Sequence, residues 1–106
     1  MIASITRYIA SRSIRDDHLP SFHQARVASG ARLLDQKVPG WNDRIDRIDM
    51  ICPRRCVLGQ LFGWHTIGLS KLCVNPHVYG FACEPSARRI VTRAWNREIR
   101  KRRADG

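Results

Sequence analysis

A chain of 106 residues, 43% hydrophobic and 26% charged, has enough apolar surface for one buried core and too little length for a separate cofactor domain, and those proportions exclude a disordered or low-complexity protein. With 19 Lys and Arg against 9 Asp and Glu, a net charge of +10 must lie on the surface, which favours acidic partners: nucleic acid first, then an anionic membrane surface or an acidic protein. No stretch approaches the ~18 consecutive apolar residues that a membrane-spanning helix needs, so no integral membrane contact is expected.

Residues 1–20 read as a basic N-terminal appendage. The first fifteen carry Arg7, Arg12 and Arg15, no acid, and Ile2, Ile5 and Ile9 on one helical side. That composition suits an amphipathic helix and lacks the continuous apolar run of a secretory signal. Residues 21–106 are expected to form a single helical domain. Ser21 is a candidate N-cap for a helix through about Lys37, because Val27, Ala31, Leu34 and Val38 repeat at four, three and four residues, with Leu33 widening the stripe. Gly30 should weaken this helix locally.

Pro39-Gly40 ends that pattern as a turn dipeptide. Beyond Trp41, Ile45 and Ile48 recur three apart among Asp43, Arg44, Asp46, Arg47 and Asp49. This predicts a short turn of amphipathic helix whose interleaved charges form solvated ion pairs rather than a metal or acid/base site. From Pro53 onward, Val57, Leu58, Leu61 and Phe62 predict a helix with proline in its first turn and Gly63 at its end. Gly59 inside it costs about 1 kcal/mol against alanine, which suggests a close approach by another helix. Between Gly63 and Pro85 the breakers Gly68, Asn75-Pro76 and Gly80 predict loops and short turns, with Val78-Tyr79-Gly80-Phe81 packing a loop onto the helices.

The last helix is predicted from about Pro85 to Arg103, with Glu84 at the positive end of its dipole. At 100° per residue Ala87, Ile90, Val91, Ala94, Trp95 and Ile99 share one side. Arg89, Arg93, Arg97 and Arg100 form a ridge opposite, flanked by Arg88, Lys101, Arg102 and Arg103 and offset within the helix only by Glu98. The expected fold is therefore all-α: a small bundle of three to four helices with an irregular loop region before the C-terminal helix. Its expected core is Val27, Ala31, Leu34, Trp41, Ile45, Ile48, Val57, Leu58, Leu61, Phe62, Ile90, Val91, Ala94 and Trp95.

The four cysteines admit three readings. Buried free thiols are one, disulfides another, and the third is a structural zinc site on Cys52, Cys56, Cys73 and Cys83 with His65 or His77 as alternate ligands. Only the Cys52/Cys56 spacing is that of ordinary zinc ligands. Cysteine catalysis requires a thiolate paired with a histidine, which no spacing here announces, and no glycine-rich phosphate loop occurs, so no enzyme and no cofactor beyond that zinc are expected.

The combination Leu34-Asp35, Val38-Pro39-Gly40-Trp41, Arg44-Ile45-Asp46 and Cys56-Val57-Leu58-Gly59-Gln60-Leu61-Phe62-Gly63, followed by Tyr79-Gly80-Phe81 and Ala94-Trp95, resembles a family of small uncharacterised proteins of actinobacteria and their phages. The resemblance runs from about Gly30 to Arg103 and departs from the family pattern between Gly63 and Tyr79, where the spacing is short and carries Cys73. It implies a bacterial or phage cytoplasmic setting and brings no catalytic residue, cofactor or ligand. The functional expectation is a non-enzymatic accessory protein that binds nucleic acid through Arg89, Arg93, Arg97 and Arg100, helped by Lys101, Arg102 and Arg103. The alternative is a protein-interaction module that binds and modulates a host protein through Trp64, Tyr79 and Phe81.

Overall fold

The apolar stripe of Val27, Ala31 and Leu34 is fully buried and belongs to the first of the described helices, here α1, Pro20–Lys37. The computed structural model describes residues 20–105; the N-terminal segment with Ile2, Ile5 and Ile9 lies outside the described residues. Pro20 opens α1, one residue before the expected cap, at a position where a missing N–H removes no helical bond. The helix closes where the Val38 N–H reaches the Leu34 carbonyl at 2.8 Å and Gly40 takes φ +78°. A single 3₁₀ turn, Trp41–Asp43, then drops the Trp41 indole into the core.

The helical turn expected across Asp43–Asp49 is not formed. From Arg44 to Cys56 the chain bends irregularly while still burying Ile45 and Ile48. A backbone without a regular ladder needs other partners; besides local turn bonds such as Asp49 N–H to the Arg55 carbonyl, distant side chains supply them here. The Gln60 Oε1 accepts the Asp46 N–H at 2.6 Å, and its Nε2 donates to the carbonyls of Arg47 and Arg55. Asn96 grips Ile48 from both sides, accepting its N–H at 3.0 Å and donating to its carbonyl at 3.4 Å, while the Thr92 hydroxyl accepts the Met50 N–H. The ion pairs expected in this segment are also absent among the described residues, where the ion pairs are those of Arg102 with Asp35 and Glu98. Asn96→Ala should therefore destabilise the fold by about 1–3 kcal/mol, since it leaves two buried backbone groups of Ile48 without partners. Urea unfolding measures this, and a variant as stable as the parent would refute the clamp.

Helix α2, Val57–Phe62, starts four residues later than expected from Pro53. Pro53–Arg55 form a turn, and Cys56 is the N-cap, its sulfur accepting the Gly59 N–H at 3.3 Å. Gly63 ends the helix in the left-handed region, as expected. Gly59 does meet a close neighbour, but not another helix: a Cβ there would lie 2.2 Å from the Pro53 carbonyl oxygen, in the turn that leads into α2. Helix α3, His65–Leu72, stands where loops were expected. Gly68, a helix breaker by residue type, is buried against Leu58 and Phe62, and lets α3 pack closely on α2.

The chain then turns through Asn75–Cys83, and no strand occurs among the described residues. A 3₁₀ turn, Pro85–Ala87, leads into α4, Arg88–Asp105, which packs along α1. Among the described residues the fold is a small all-α bundle of four helices. Trp95 stacks on Phe81 and meets Trp41 edge to face, with centroids 5.6 and 5.9 Å apart, at the centre of one core. Of the expected core, Phe62 and Ile90 are only half buried, while Cys56, Phe81, Ala87 and Ile99 join it. No helix among the described residues is long and apolar enough to cross a membrane.

Candidate nucleic-acid interface

Helix α4 divides as its periodicity dictates. Val91, Ala94, Trp95, Glu98 and Ile99 are buried, and Arg89, Arg93, Arg97, Arg100 and Lys101 are exposed. Where this exposed side meets the 44–56 segment there is an open cleft of about 550 Å³ lined by Asp46, Arg47, Arg93, Asn96, Arg97, Ile99, Arg100 and Arg103. Five guanidinium groups face it against one carboxylate. At roughly 1.5 Å rise per residue, Arg93 to Arg103 spans about 15 Å of α4 along one wall. The other wall belongs to Arg47 and Asp46, held there by Gln60 and by the Asn96 grip on Ile48.

The basic residues expected to act together are thus sorted by their contacts. Arg93 and Arg100 stand over the cleft, and Arg97 does too while donating to the Gln24 Oε1. Arg89 and Lys101 are exposed beyond its lining. Arg103 lines the cleft but donates to the carbonyls of Asn42 and Ile45, at 2.9 and 2.6 Å, so it ties α4 to the segment that forms the opposite wall. Arg102 turns inward. It pairs with Asp35 at 2.9 Å and with Glu98 at 2.5 Å, and lies over the Trp41 ring. The Arg102 hydrogen bond holds the Asp35 carboxyl below its ordinary pKa against the opposing effect of burial, with the Trp41 indole N–H adding to it. Glu98 is buried, and Arg102 together with the Gln24 amide satisfies its carboxylate. These contacts make Arg102 a brace between α1 and α4.

The cysteine and histidine candidates are partly brought together. The Cys56 sulfur lies 3.5 Å from the His65 Nδ1, and Cys83 lines the same cleft of about 210 Å³. Burial pushes the Cys56 thiol and the Cys83 thiol up and the His65 imidazole down in pKa. Both members of the Cys56–His65 pair are thereby held neutral, the opposite of an activated thiolate. Cys52 is half buried, Cys73 is exposed at the C-terminal end of α3, and His77 lies exposed in the turn after it. All four cysteines are free thiols. Among the described residues no group of three or more potential ligands is placed to hold a metal ion, so Cys52, Cys56, Cys73 and Cys83 do not come together as one four-ligand set.

The aromatic trio does not form one surface either. Trp64 is exposed beneath the Arg54 guanidinium, Tyr79 is half buried against Phe81, and Phe81 is core, 1% exposed.

The cleft contributors not expected from sequence are Asp46, Arg47, Asn96 and Ile99. Arg44 and Arg47 repeat at the same three-residue interval as Ile45 and Ile48, which was the available signal for a second basic wall. Asn96, between buried Trp95 and exposed Arg97, sits where a half-buried polar side chain can serve a neighbouring backbone. Compared with known proteins, the chain matches no family model, no curated protein and no solved structure.

Proposed function

We propose that this is a non-enzymatic accessory protein, of bacterial or phage setting, that binds nucleic acid by its phosphates in the cleft between α4 and the 44–56 segment. The observation that carries the reading is the gathering of Arg47, Arg93, Arg97, Arg100 and Arg103 around one open cleft with only Asp46 of opposite sign. Arginine forks bind phosphate oxygens in pairs and release condensed counterions, but such contacts carry no base information. Binding is therefore sequence-tolerant and weakens steeply with salt.

The test is a titration of parent and Arg93→Ala/Arg97→Ala double variant over salt. For every phosphate that the variant no longer neutralises, the logarithmic salt slope should flatten by about 0.9 on duplex DNA or about 0.7 on a single strand. Both side chains are exposed, so the variant should keep the parent's circular dichroism and lose at most about 1 kcal/mol of stability with the Arg97–Gln24 hydrogen bond. No binding near physiological salt, or an unchanged affinity and slope in a folded double variant, would overturn the proposal.

A second reading draws on exposed apolar residues at the α2–α3 end: Trp64 and Ile67 are 41% and 47% exposed, and Ile51 is 62% exposed. It is a module that binds a host protein through Trp64, with Tyr79 at most peripheral and Phe81 excluded by burial. A partner retained after nuclease treatment, and released by Trp64→Ser but not by the arginine double variant, would favour it.

A further inference from the structure

We infer that the cleft takes double-stranded rather than single-stranded nucleic acid, an inference that rests on the phosphate-binding reading above and specifies its ligand. Proteins that hold a single strand combine a basic groove with aromatic rings on which unpaired bases stack. Among the described residues this cleft has the first and lacks the second.

The rings of the described residues are all accounted for elsewhere. Trp41, Trp95 and Phe81 are in the core, and Tyr79 stacks on Phe81. Phe22 lies under the Arg26 guanidinium, Trp64 under that of Arg54, and Phe62 packs against the core. None lines the cleft, whose apolar contribution is the flank of Ile99. An unpaired base entering it would find guanidinium planes but no aromatic ring, and so would lack the ring stacking worth about 1–3 kcal/mol per base that single-strand binders supply. In a duplex the bases are already stacked on one another and the outside is phosphate, which is what this lining is built to meet.

Along the about 15 Å from Arg93 to Arg103 one strand of a duplex presents about four phosphates in regular succession, at ~3.4 Å per charge per strand. The arginines stand on two walls, with Arg47 opposite Arg93, Arg97 and Arg100, so a phosphate row seated between them meets cations on both sides. Asp46 on the Arg47 wall is the one group that repels it.

The experiment is fluorescence anisotropy with a labelled DNA duplex of about 20 base pairs, an RNA duplex of the same sequence, and the corresponding unpaired strands, each titrated at several salt concentrations. The expected result is that at least one duplex binds about tenfold or more tighter than its unpaired strand, with a salt slope of about 0.9 per phosphate neutralised. Arg47→Ala should weaken duplex binding and flatten the slope, and Asp46→Asn should tighten it. Arg54→Ala, outside the cleft, should leave binding unchanged.

The two duplexes distinguish DNA from RNA as the ligand, and preference for either supports the inference. Salt-sensitive binding that is equal or tighter for the unpaired strands overturns the duplex inference and leaves phosphate binding standing. Weakened affinity in the Arg93→Ala/Arg97→Ala variant with none in Arg47→Ala overturns the two-walled site. Failure of every probe to bind overturns both readings.

Discussion

Gly30→Ala is expected to destabilise the protein by about 2–3 kcal/mol, although the same exchange in an unpacked helix would stabilise it by about 1 kcal/mol. A Cβ on Gly30 would lie 2.0 Å from the Tyr79 carbonyl oxygen and 3.1 Å from two atoms of the Trp95 ring. The oxygen belongs to a backbone, so no rotamer change relieves the clash. Nor can the turn retreat cheaply, because the adjoining Gly80 carbonyl accepts a buried hydrogen bond from the Trp95 indole at 2.7 Å, and moving it leaves a buried donor without its partner. That loss costs about 1–3 kcal/mol on its own and overpacking a further 1–3 or so, which together outweigh the propensity gain. The readout is the midpoint of urea unfolding at unchanged m-value. An alanine variant more stable than the parent would mean that the 79–80 turn does not lie against α1.

Trp95→Ala should do more, removing about 3–5 kcal/mol by the cavity it leaves, before the loss of its hydrogen bond is counted. The indole is the common neighbour of Phe81 and Trp41, and aromatic pairs contribute about 0.5–1.5 kcal/mol each beyond the area they bury. Native domains are stable by only about 5–15 kcal/mol, so the alanine variant is expected to lose about a third or more of the total and to unfold at a much lower urea concentration than the parent. Trp95→Phe separates the two contributions: it keeps a ring for Phe81 to stack on and removes the N–H that the Gly80 carbonyl uses. Its expected cost is about 1–3 kcal/mol. Equal stabilities for the two variants would show that the ring packing adds nothing and that the hydrogen bond alone matters.

The readable parts of this fold are those whose partners lie within the same helix. The stripe Val27–Ala31–Leu34 and the two-sided pattern of α4 announce their elements and their buried faces, because a helix decides which residues share a side whatever it packs on. Gly63 marks the end of α2 for a similarly local reason. What misleads is residues whose role lies in a contact between segments. Gly30 and Gly68 read as weaknesses and are sites of close approach; Gly68 in particular hides α3. Cys56 reads as a ligand or a small apolar side chain and is an N-cap, a use of sulfur that composition rules do not anticipate. The Ile45/Ile48 spacing fits a helical turn equally well, yet the segment is shaped by Gln60, Thr92 and Asn96, which are remote in sequence. For the candidate site, the α4 ridge is visible as periodic charge. The second wall is not, since Arg47 comes to face α4 only through those remote hydrogen bonds, and the inward role of Arg102 depends on Asp35, a residue of another helix.

The borrowed hydrogen bonds of the 44–56 segment also bear on how fast the molecule assembles. The Asn96–Ile48 and Thr92–Met50 bonds close 48 and 42 residues of chain, and the Gln24–Glu98 bond between α1 and α4 closes 74. Each helix can nucleate locally in microseconds or less, and residues 49–56 have turn bonds of their own, but the part around Asp46–Met50 takes partners from α2 and α4, so its ordering waits on long-range encounters. The thermodynamic penalty for such long closures is modest, about 0.6 kcal/mol per doubling of loop length; the delay falls on the rate. For its helical content the chain is therefore expected to fold slowly, with the Arg47 wall of the cleft forming late; refolding monitored by stopped flow checks this, and an Asn96→Ala variant should unfold faster with little change in its refolding rate.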